Sequence, residues 1–191
     1  MMRRLLPLLA LAIAAPLLSG CFGLAAGGIG AAALLVDDRR TTGIYVEDEN
    51  IEWKALARIN ADFKGSHVNA TSFNRKVLLT GEVSTEDTKA AVEKAIRAIP
   101  NVRDVANELA IAGNSSITSR GNDSIITSNV KARMVGNGKF SPNHVKVVTE
   151  AGAVFLMGLV TPAEGDAAVE VARSTAGVSR VVKVFEYVEA K

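Results

Sequence analysis

Two similar apolar runs organise this chain: VLLTGEV at residues 77–83 and VFLMGLV at residues 154–160. The second run begins 77 positions after the first, and each has a glycine at its fifth place. Upstream of each run, the pair His-Val occurs at the same spacing, at residues 67–68 and 144–145. A fixed offset of this kind indicates an internal duplication. We therefore predict two similar domains, each too small to bury a large core alone.

The residues before each run have the period of an amphipathic helix. Apolar residues recur three or four positions apart, which places them on one helical face. They are Leu56, Ile59 and Phe63 in the first copy and Ile126, Val130 and Met134 in the second. An opening helix is therefore predicted for each copy, and the sole tryptophan, Trp53, is expected close to the core stripe.

The rest of each copy predicts a hairpin, a second helix and a closing strand. Turn residues separate the two hairpin strands, and a threonine followed by acidic residues or proline marks a helix start. The turns are Asn74 with Arg75 or Ala151 with Gly152, the caps are Thr85 or Thr161, and the closing strands cover residues 102–111 or 178–188. The prediction is an α+β protein of two tandem units, each α-β-β-α-β with a small mixed sheet covered by two helices.

The first residues have the features of an export signal. Arg3 and Arg4 precede an apolar run at residues 5–18 that is too short to span a bilayer as a helix. The sequence LSGC at residues 18–21 resembles the lipobox of bacterial lipoproteins. That resemblance implies cleavage before Cys21 and covalent attachment of a diacylglyceryl group and an N-acyl chain there, with no other cofactor. Phe22, in place of the Asp typical of inner-membrane lipoproteins, favours the outer membrane.

Five segments are predicted along the chain. They are a signal peptide at residues 1–20, the lipidated cysteine and a Gly/Ala-rich tether at 21–46, a first domain at 47–112, a linker at 113–123 and a second domain at 124–191. An alternative for residues 22–36 is a short helix in the membrane interface, which four glycines in that stretch disfavour.

The net charge argues against nucleic acid as a partner, and it differs between the two copies. Without residues 1–20, the chain has 20 basic and 20 acidic residues, so the basic surface that nucleic acid requires is not expected. Residues 47–112 have 9 Lys and Arg against 11 Asp and Glu, whereas residues 113–191 have 9 against 7. The second copy is therefore the one suited to an anionic surface.

Catalytic and metal-binding sites are not predicted. His67 and His144, the only two histidines, occupy the same place in the two copies, as duplicated turn residues do. Hydrolytic or metal chemistry needs clustered Ser, His, Cys or acidic groups, and Cys21 is the only cysteine. Gly81 and Gly158 lie inside apolar strands, where a bulge or the close approach of another segment is the usual reason.

This pattern resembles the BON domain. The shared features are the opening helix, the glycine late in the second strand (Gly81 and Gly158) and a Gly-Val strand entry, which stands at residues 177–178 and becomes Asn-Val at 101–102. With the lipobox, the two copies resemble dual BON-domain outer-membrane lipoproteins of the DolP type. The resemblance implies a non-enzymatic protein that faces the periplasm, supports envelope integrity and binds anionic phospholipid through its second BON domain. It also implies association with the division site and with the barrel-assembly machinery of the outer membrane.

The opening helix of the second copy supplies the candidate lipid-binding residues. When its apolar stripe is buried, the opposite face points outward. The candidates are Ser124, Ile125, Ser128, Lys131 and Val135, with Lys139 in the loop beyond. Lysine would meet lipid phosphate while Ile125 and Val135 enter the headgroup layer; the family resemblance implies an aromatic residue where Ile125 stands. The alternatives are a solvated face on an adaptor that docks envelope proteins, and an inert spacer.

Replacing Cys21 by serine is expected to prevent lipid attachment, because the thiol is the acceptor of the diacylglyceryl group. The variant should leave the membrane fraction for the soluble periplasm, since durable anchoring needs several acyl chains. Palmitate labelling and membrane fractionation, with the unaltered protein as control, measure both effects. Palmitate incorporation by the Cys21→Ser variant would contradict the assignment.

Overall fold

The computed structural model describes residues 37–189. The first copy contains helix α1 (Thr42–Asp62), strands β1 (His67–Phe73) and β2 (Lys76–Val83), helix α2 (Glu86–Arg97) and strands β3 (Asp104–Asn107) and β4 (Ala110–Ile111). The second contains helix α3 (Ile117–Val135), a 3-10 turn (Pro142–His144), strands β5 (Val145–Glu150) and β6 (Ala153–Val160), helix α4 (Pro162–Arg173) and strand β7 (Arg180–Tyr187). The predicted signal peptide, Cys21 and residues 22–36 lie outside the described residues. Among the helices between residues 37 and 189, none is long and apolar enough to cross a bilayer.

Both copies have the predicted order α-β-β-α-β, and the fold is α+β with two small mixed sheets. In each sheet the hairpin strands are antiparallel, and the closing strand runs parallel to the second hairpin strand. The first closing strand is divided into β3 and β4, which was not predicted. Asn107 Oδ1 accepts a hydrogen bond from the backbone N–H of Leu109 (3.3 Å), a local bond that competes with strand pairing.

Both opening helices begin earlier than their apolar period indicates. Helix α1 starts inside the predicted tether, and α3 starts inside the predicted linker of residues 113–123. The side-chain oxygens of Thr41 and Ser116 each accept a hydrogen bond from the backbone N–H three residues later, which is the interaction of a helix N-cap. Residues 117–123 are therefore helical and belong to the second domain.

The buried face of the opening helix was predicted correctly in the second copy and only in part in the first. In α3 the three predicted apolar residues are all buried. In α1 the buried apolar residues are Ile51, Ala55 and Ile59, whereas Leu56 is 47% exposed and Trp53 is 69% exposed. Ile59 was predicted correctly and Phe63 packs against the core. Leu56 and Trp53 were misplaced because the helix extends further toward its N-terminus, and the stripe that includes Ile51 faces away from Leu56.

A buried aspartate of each opening helix holds the hairpin turn of its own domain. The two central turn residues have φ values of 53° and 63° in the first hairpin and 49° and 74° in the second, as in a type I′ turn. Asp48 accepts hydrogen bonds from the N–H groups of Asn74 (2.8 Å) and Arg75 (2.7 Å). Asp123 accepts the equivalent two bonds at 2.9 and 2.8 Å. These bonds offset the cost of a positive φ at residues other than glycine.

A glycine in the central strand of each sheet admits the close approach of the neighbouring strand. A Cβ added to Gly81 would lie 2.0 Å from the carbonyl oxygen of His67, and one added to Gly158 would lie 2.3 Å from that of His144. No side chain tolerates such contacts with backbone. The repeated His-Val and glycine positions therefore mark one structural feature, the point where the backbones of the two hairpin strands approach most closely.

The two sheets pack against each other through an apolar cluster of their own. Its buried members are Phe73, Leu78, Ala153, Phe155, Met157 and Val184. Successive side chains of a strand point to opposite faces, so Leu79 packs in the core of the first domain while Leu78 joins the cluster between the sheets. Burial on both faces explains why the two central strands are continuous apolar runs. Both copies therefore belong to one compact unit, Asp38–Lys191.

Ion pairs connect the two copies outside this cluster. Lys146 Nζ lies 2.7 Å from Glu52 Oε1. Arg39, which precedes α1, donates two hydrogen bonds of 2.7 and 2.9 Å to the carboxylate of Glu164 in α4. Burial by itself would raise the pKa of Glu164, but the bonds from Arg39 and from the N–H of Thr161 lower that pKa to about 2.

Replacing either Gly81 or Gly158 by alanine is expected to lower the free energy of unfolding by about 3 kcal/mol or more, because backbone must move to accommodate the methyl group. Gly121 is the matched control: it lies in α3 with nothing within 4 Å of an added Cβ, and alanine there should stabilise the helix by about 0.5–1 kcal/mol. Urea unfolding of residues 38–191 measures all three variants. A loss below about 1 kcal/mol at both strand glycines would contradict the close approach.

Replacing Arg39 by glutamine is expected to make folding less sensitive to acid. With a folded pKa of about 2, Glu164 contributes stability that is complete above its ordinary pKa of 4.5 and is lost as the pH falls toward 2. Without the guanidinium, the folded pKa lies closer to 4.5 and the loss over this interval is smaller. Urea unfolding of both proteins from neutral pH into this interval tests the effect; parallel stability profiles would argue against it.

Candidate functional site

The outward side of helix α3 contains the predicted lipid-binding residues. The structure exposes Ser124, Ile125, Ser128, Lys131 and Val135, and it exposes Lys139 in the loop after the helix. Because successive residues of a helix are about 100° apart, the five helical positions fall within an arc of about 120°. The two apolar members protrude strongly, with Ile125 61% and Val135 71% exposed. The structure therefore brings the predicted residues together on one surface.

Two apolar residues of the same surface were not predicted. Ile117 is 87% exposed in the first turn of α3, and Ala132 is exposed near its end. Ile117 was missed because its segment was assigned to a linker; the signal that identifies it is the capping serine, Ser116. The α3 outer face is defined here as Ile117, Ser124, Ile125, Ser128, Lys131, Ala132 and Val135.

The two serines of the α3 outer face already use their hydroxyl protons. Ser124 Oγ and Ser128 Oγ each donate to the backbone carbonyl four residues earlier, at 3.1 and 2.9 Å. Such bonds reduce the number of free donors that could meet a lipid phosphate. The cationic contact predicted for this surface therefore depends on Lys131 and Lys139, while the serines contribute a small, uncharged surface.

The α3 outer face contains no carboxylate. The only acidic residue of α3 is Asp123, which is buried and bound to the hairpin turn. Arg133 is directed to α4, where its guanidinium donates to the carbonyl of Ser174 (2.5 Å). In contrast, helix α1 exposes the carboxylates of Glu49 and Asp62, with Glu47 and Glu52 partly buried, and it also exposes the cations Lys54 and Arg58. With four surface carboxylates against two cations on α1, the two opening helices differ in the sign of their net surface charge.

His67 lies in a cluster between the two domains. Its Nδ1 is 2.8 Å from Oε2 of Glu82 and 3.8 Å from Oε1 of Glu150. Burial would raise the pKa of Glu82, but hydrogen bonds from the N–H of Ser115 and from His67 lower it. Burial raises the pKa of Glu150 and outweighs the hydrogen bond that this carboxylate receives from Asn69. The sequence prediction of an isolated turn histidine did not anticipate this cluster, because Glu150 belongs to the other copy.

A groove of about 430 Å³ lies between α1 and the strands β1 and β5. Its lining includes the apolar side chains of Trp53, Leu56 and Val148, together with the carboxylates of Glu49 and Glu52. Trp53 was expected near the core, and the structure places it on this surface instead. Both domains therefore form an apolar groove with acidic groups, which is a different chemistry from the α3 outer face.

The two α-β-β-α-β units coincide with a known domain family. Residues 47–113 and 122–189 match the BON domain. The chain is 37% identical over 175 residues to the outer membrane lipoprotein DolP of Haemophilus influenzae, which covers 90% of this chain and 91% of that protein. It is 33% identical over 155 residues to the 21 kDa hemolysin of Actinobacillus pleuropneumoniae, covering 80% of each.

A more distant relative is the osmotically-inducible protein Y of Escherichia coli, 26% identical over 144 residues, which covers 73% of this chain and 72% of that protein. The similarity to DolP extends over nearly the whole of both chains and supports an envelope lipoprotein, as the lipobox suggested. The chain therefore belongs to the BON-domain family and contains two tandem BON domains.

Proposed function

We propose that this protein is an outer-membrane lipoprotein that binds anionic phospholipid through the α3 outer face of its second BON domain. Acyl chains on Cys21 hold it on the periplasmic side of the membrane, and the folded domains have a non-enzymatic role in envelope integrity. The similarity to an outer membrane lipoprotein supports the location. Enrichment at the division site is part of the same proposal and rests on the family resemblance alone.

The observation that carries the proposal is the composition of the α3 outer face. Ile117, Ile125 and Val135 are all more than 60% exposed along one side of the helix, and Lys131 lies among them with no carboxylate on that side. A helix that presents apolar side chains and a cation together suits the boundary between headgroups and acyl chains. Helix α1, whose surface carboxylates outnumber its cations Lys54 and Arg58, is less suited to the same membrane.

The expected affinity is modest. A basic residue near an anionic membrane contributes about 1 kcal/mol, and isoleucine and valine lack the interfacial preference of tryptophan and tyrosine. A weak contact is sufficient for a lipid-anchored protein, because the anchor keeps the domain close to the surface and raises its effective concentration there. The proposal therefore describes a reversible contact that responds to the local content of anionic lipid.

A second candidate function is docking of envelope proteins, such as barrel-assembly or division proteins. The observation that favours it is the groove between α1, β1 and β5, where Trp53 and Leu56 are exposed beside Glu49 and Glu52. An aromatic side chain at an exposed apolar site is typical of protein interfaces. In this alternative, lipid serves only as the anchor and the α3 outer face has no affinity for vesicles.

The test is flotation of residues 38–191 with phosphatidylcholine vesicles that contain increasing phosphatidylglycerol. Binding should rise with the anionic lipid and weaken with salt. The double variant Lys131→Glu, Val135→Ser should bind about 10-fold more weakly or worse, since it reverses one charge and removes one apolar contact. The matched control is Val46→Ser, Lys54→Glu, which makes the same kind of change on exposed positions of α1.

The single tryptophan distinguishes which domain meets the membrane. Trp53 is on the first domain and is exposed, so its fluorescence should not change when vesicles bind through α3. A blue shift on vesicle binding would place α1 in the membrane and contradict the assignment to the second domain. Failure of the folded protein to bind anionic vesicles at low salt would overturn the lipid proposal and favour the docking function.

A further inference from the structure

Three potential metal ligands meet where the two BON domains touch. His67 begins β1, Glu82 is its cross-strand partner in β2, and Glu150 ends β5 of the other domain. Their ligand atoms all lie within 4.8 Å of one another. This group is made of one imidazole and two carboxylates, and it requires both domains to be packed together.

The charges in this cluster are not balanced by the protein. Glu82 and Glu150 are both buried, and within residues 37–189 neither forms an ion pair with a lysine or arginine. The nearest nitrogen group is the imidazole of His67, 2.8 Å from Glu82 and 3.8 Å from Glu150. Two buried carboxylates without a matching cation are costly, and a divalent cation would remove that cost.

The distances fit a small tetrahedral ion. Ligand atoms about 2.0–2.1 Å from a zinc ion lie about 3.3 Å from one another in a tetrahedron. The distances from His67 Nδ1 to the two carboxylates are 2.8 and 3.8 Å, on either side of that value. The ligand atoms, including those of the two carboxylates, lie within 4.8 Å of one another, so the glutamate side chains must close by up to about 1.5 Å to reach the tetrahedral spacing.

The surroundings supply a second shell and a route of entry. Asn69 lies 3.3 Å from Nε2 of His67 and 3.0 Å from Glu150, and the N–H of Ser115 donates to Glu82 (3.0 Å). Such outer contacts orient metal ligands. A cavity of about 500 Å³ lined by His67 and Glu150 opens beside the cluster and has room for a water molecule as fourth ligand.

The equivalent place in the second domain lacks this chemistry. At the 77-residue offset, His67 corresponds to His144 but Glu82 corresponds to Leu159. The cross-strand carboxylate is therefore present in one copy only. His144 Nδ1 lies 3.7 Å from Glu164, a carboxylate that already binds Arg39. The duplicated histidine positions thus provide an internal comparison for the cluster around His67.

We infer that His67, Glu82 and Glu150 form a zinc site that joins the two BON domains, with water as the fourth ligand. His67 binds through Nδ1, and Asn69 keeps its hydrogen bond to the other carboxylate ligand, Glu150. The ion is structural: because its ligands come from both domains, its binding stabilises their packing. This inference is independent of the proposed contact with lipid.

The test is calorimetric titration of zinc into tag-free residues 38–191 that have been treated with a chelator. One zinc per chain and a higher melting temperature with zinc are expected, because a ligand that binds only the folded state stabilises it. Glu150→Gln, which retains an acceptor for Asn69, should weaken zinc binding by at least about tenfold. The matched control His144→Asn should bind zinc as the unaltered protein does.

Imidazole NMR identifies the ligand directly, since the chain has two histidines. Zinc should shift the Nδ1 signal of His67 and leave His144 unchanged. Circular dichroism confirms that each variant is folded. Zinc binding that is unaffected by Glu150→Gln, ring signals of His67 that do not respond, or no uptake by the folded protein with zinc in excess would each overturn the inference.

Discussion

Burial of β2 and β6 on both faces is the constraint on which the rest of this structure depends. A BON unit of this size can cover only one face of its small sheet with its own helices. Each copy covers the open face of the other, through side chains such as Leu78 and Phe155. With the sheets on the inside, the helices lie on the outside, so α1 and α3 present long exposed faces. The same packing brings Glu150 to His67 across the boundary between the copies.

The duplicated parts divide into those that both copies retain and those that differ. Each copy has an aspartate that holds its hairpin, and each has a glycine where the neighbouring backbone comes within van der Waals distance. Each of these residues meets a backbone requirement that is present in both copies, so no other residue type replaces it. Surface positions are free of that requirement. Consequently α1 has exposed acidic residues and Trp53, whereas the α3 outer face has Lys131 and apolar side chains.

Features that depend on residues close together in the sequence were predicted more accurately than features that depend on distant residues. The caps at Thr85 and Thr161 and the positions of the two tight turns are marked by short stretches of sequence, and all were confirmed. The α3 outer face could be predicted because it is the geometric opposite of a clear apolar stripe. The start of α3 was missed because Ser116 stands in a polar segment without periodicity. Trp53 was misplaced because its helix extends beyond the part from which the stripe was inferred.

Repeat spacing, the order of helices and strands, and the class of the fold were available from the chain alone, because periodicity, capping and turn chemistry act between near neighbours. The pairing of the two sheets, the exposed groove beside Trp53 and the meeting of His67 with Glu150 were not. Those features join residues far apart in the chain, and their proximity arises only when both copies have folded and each buries the open face of the other.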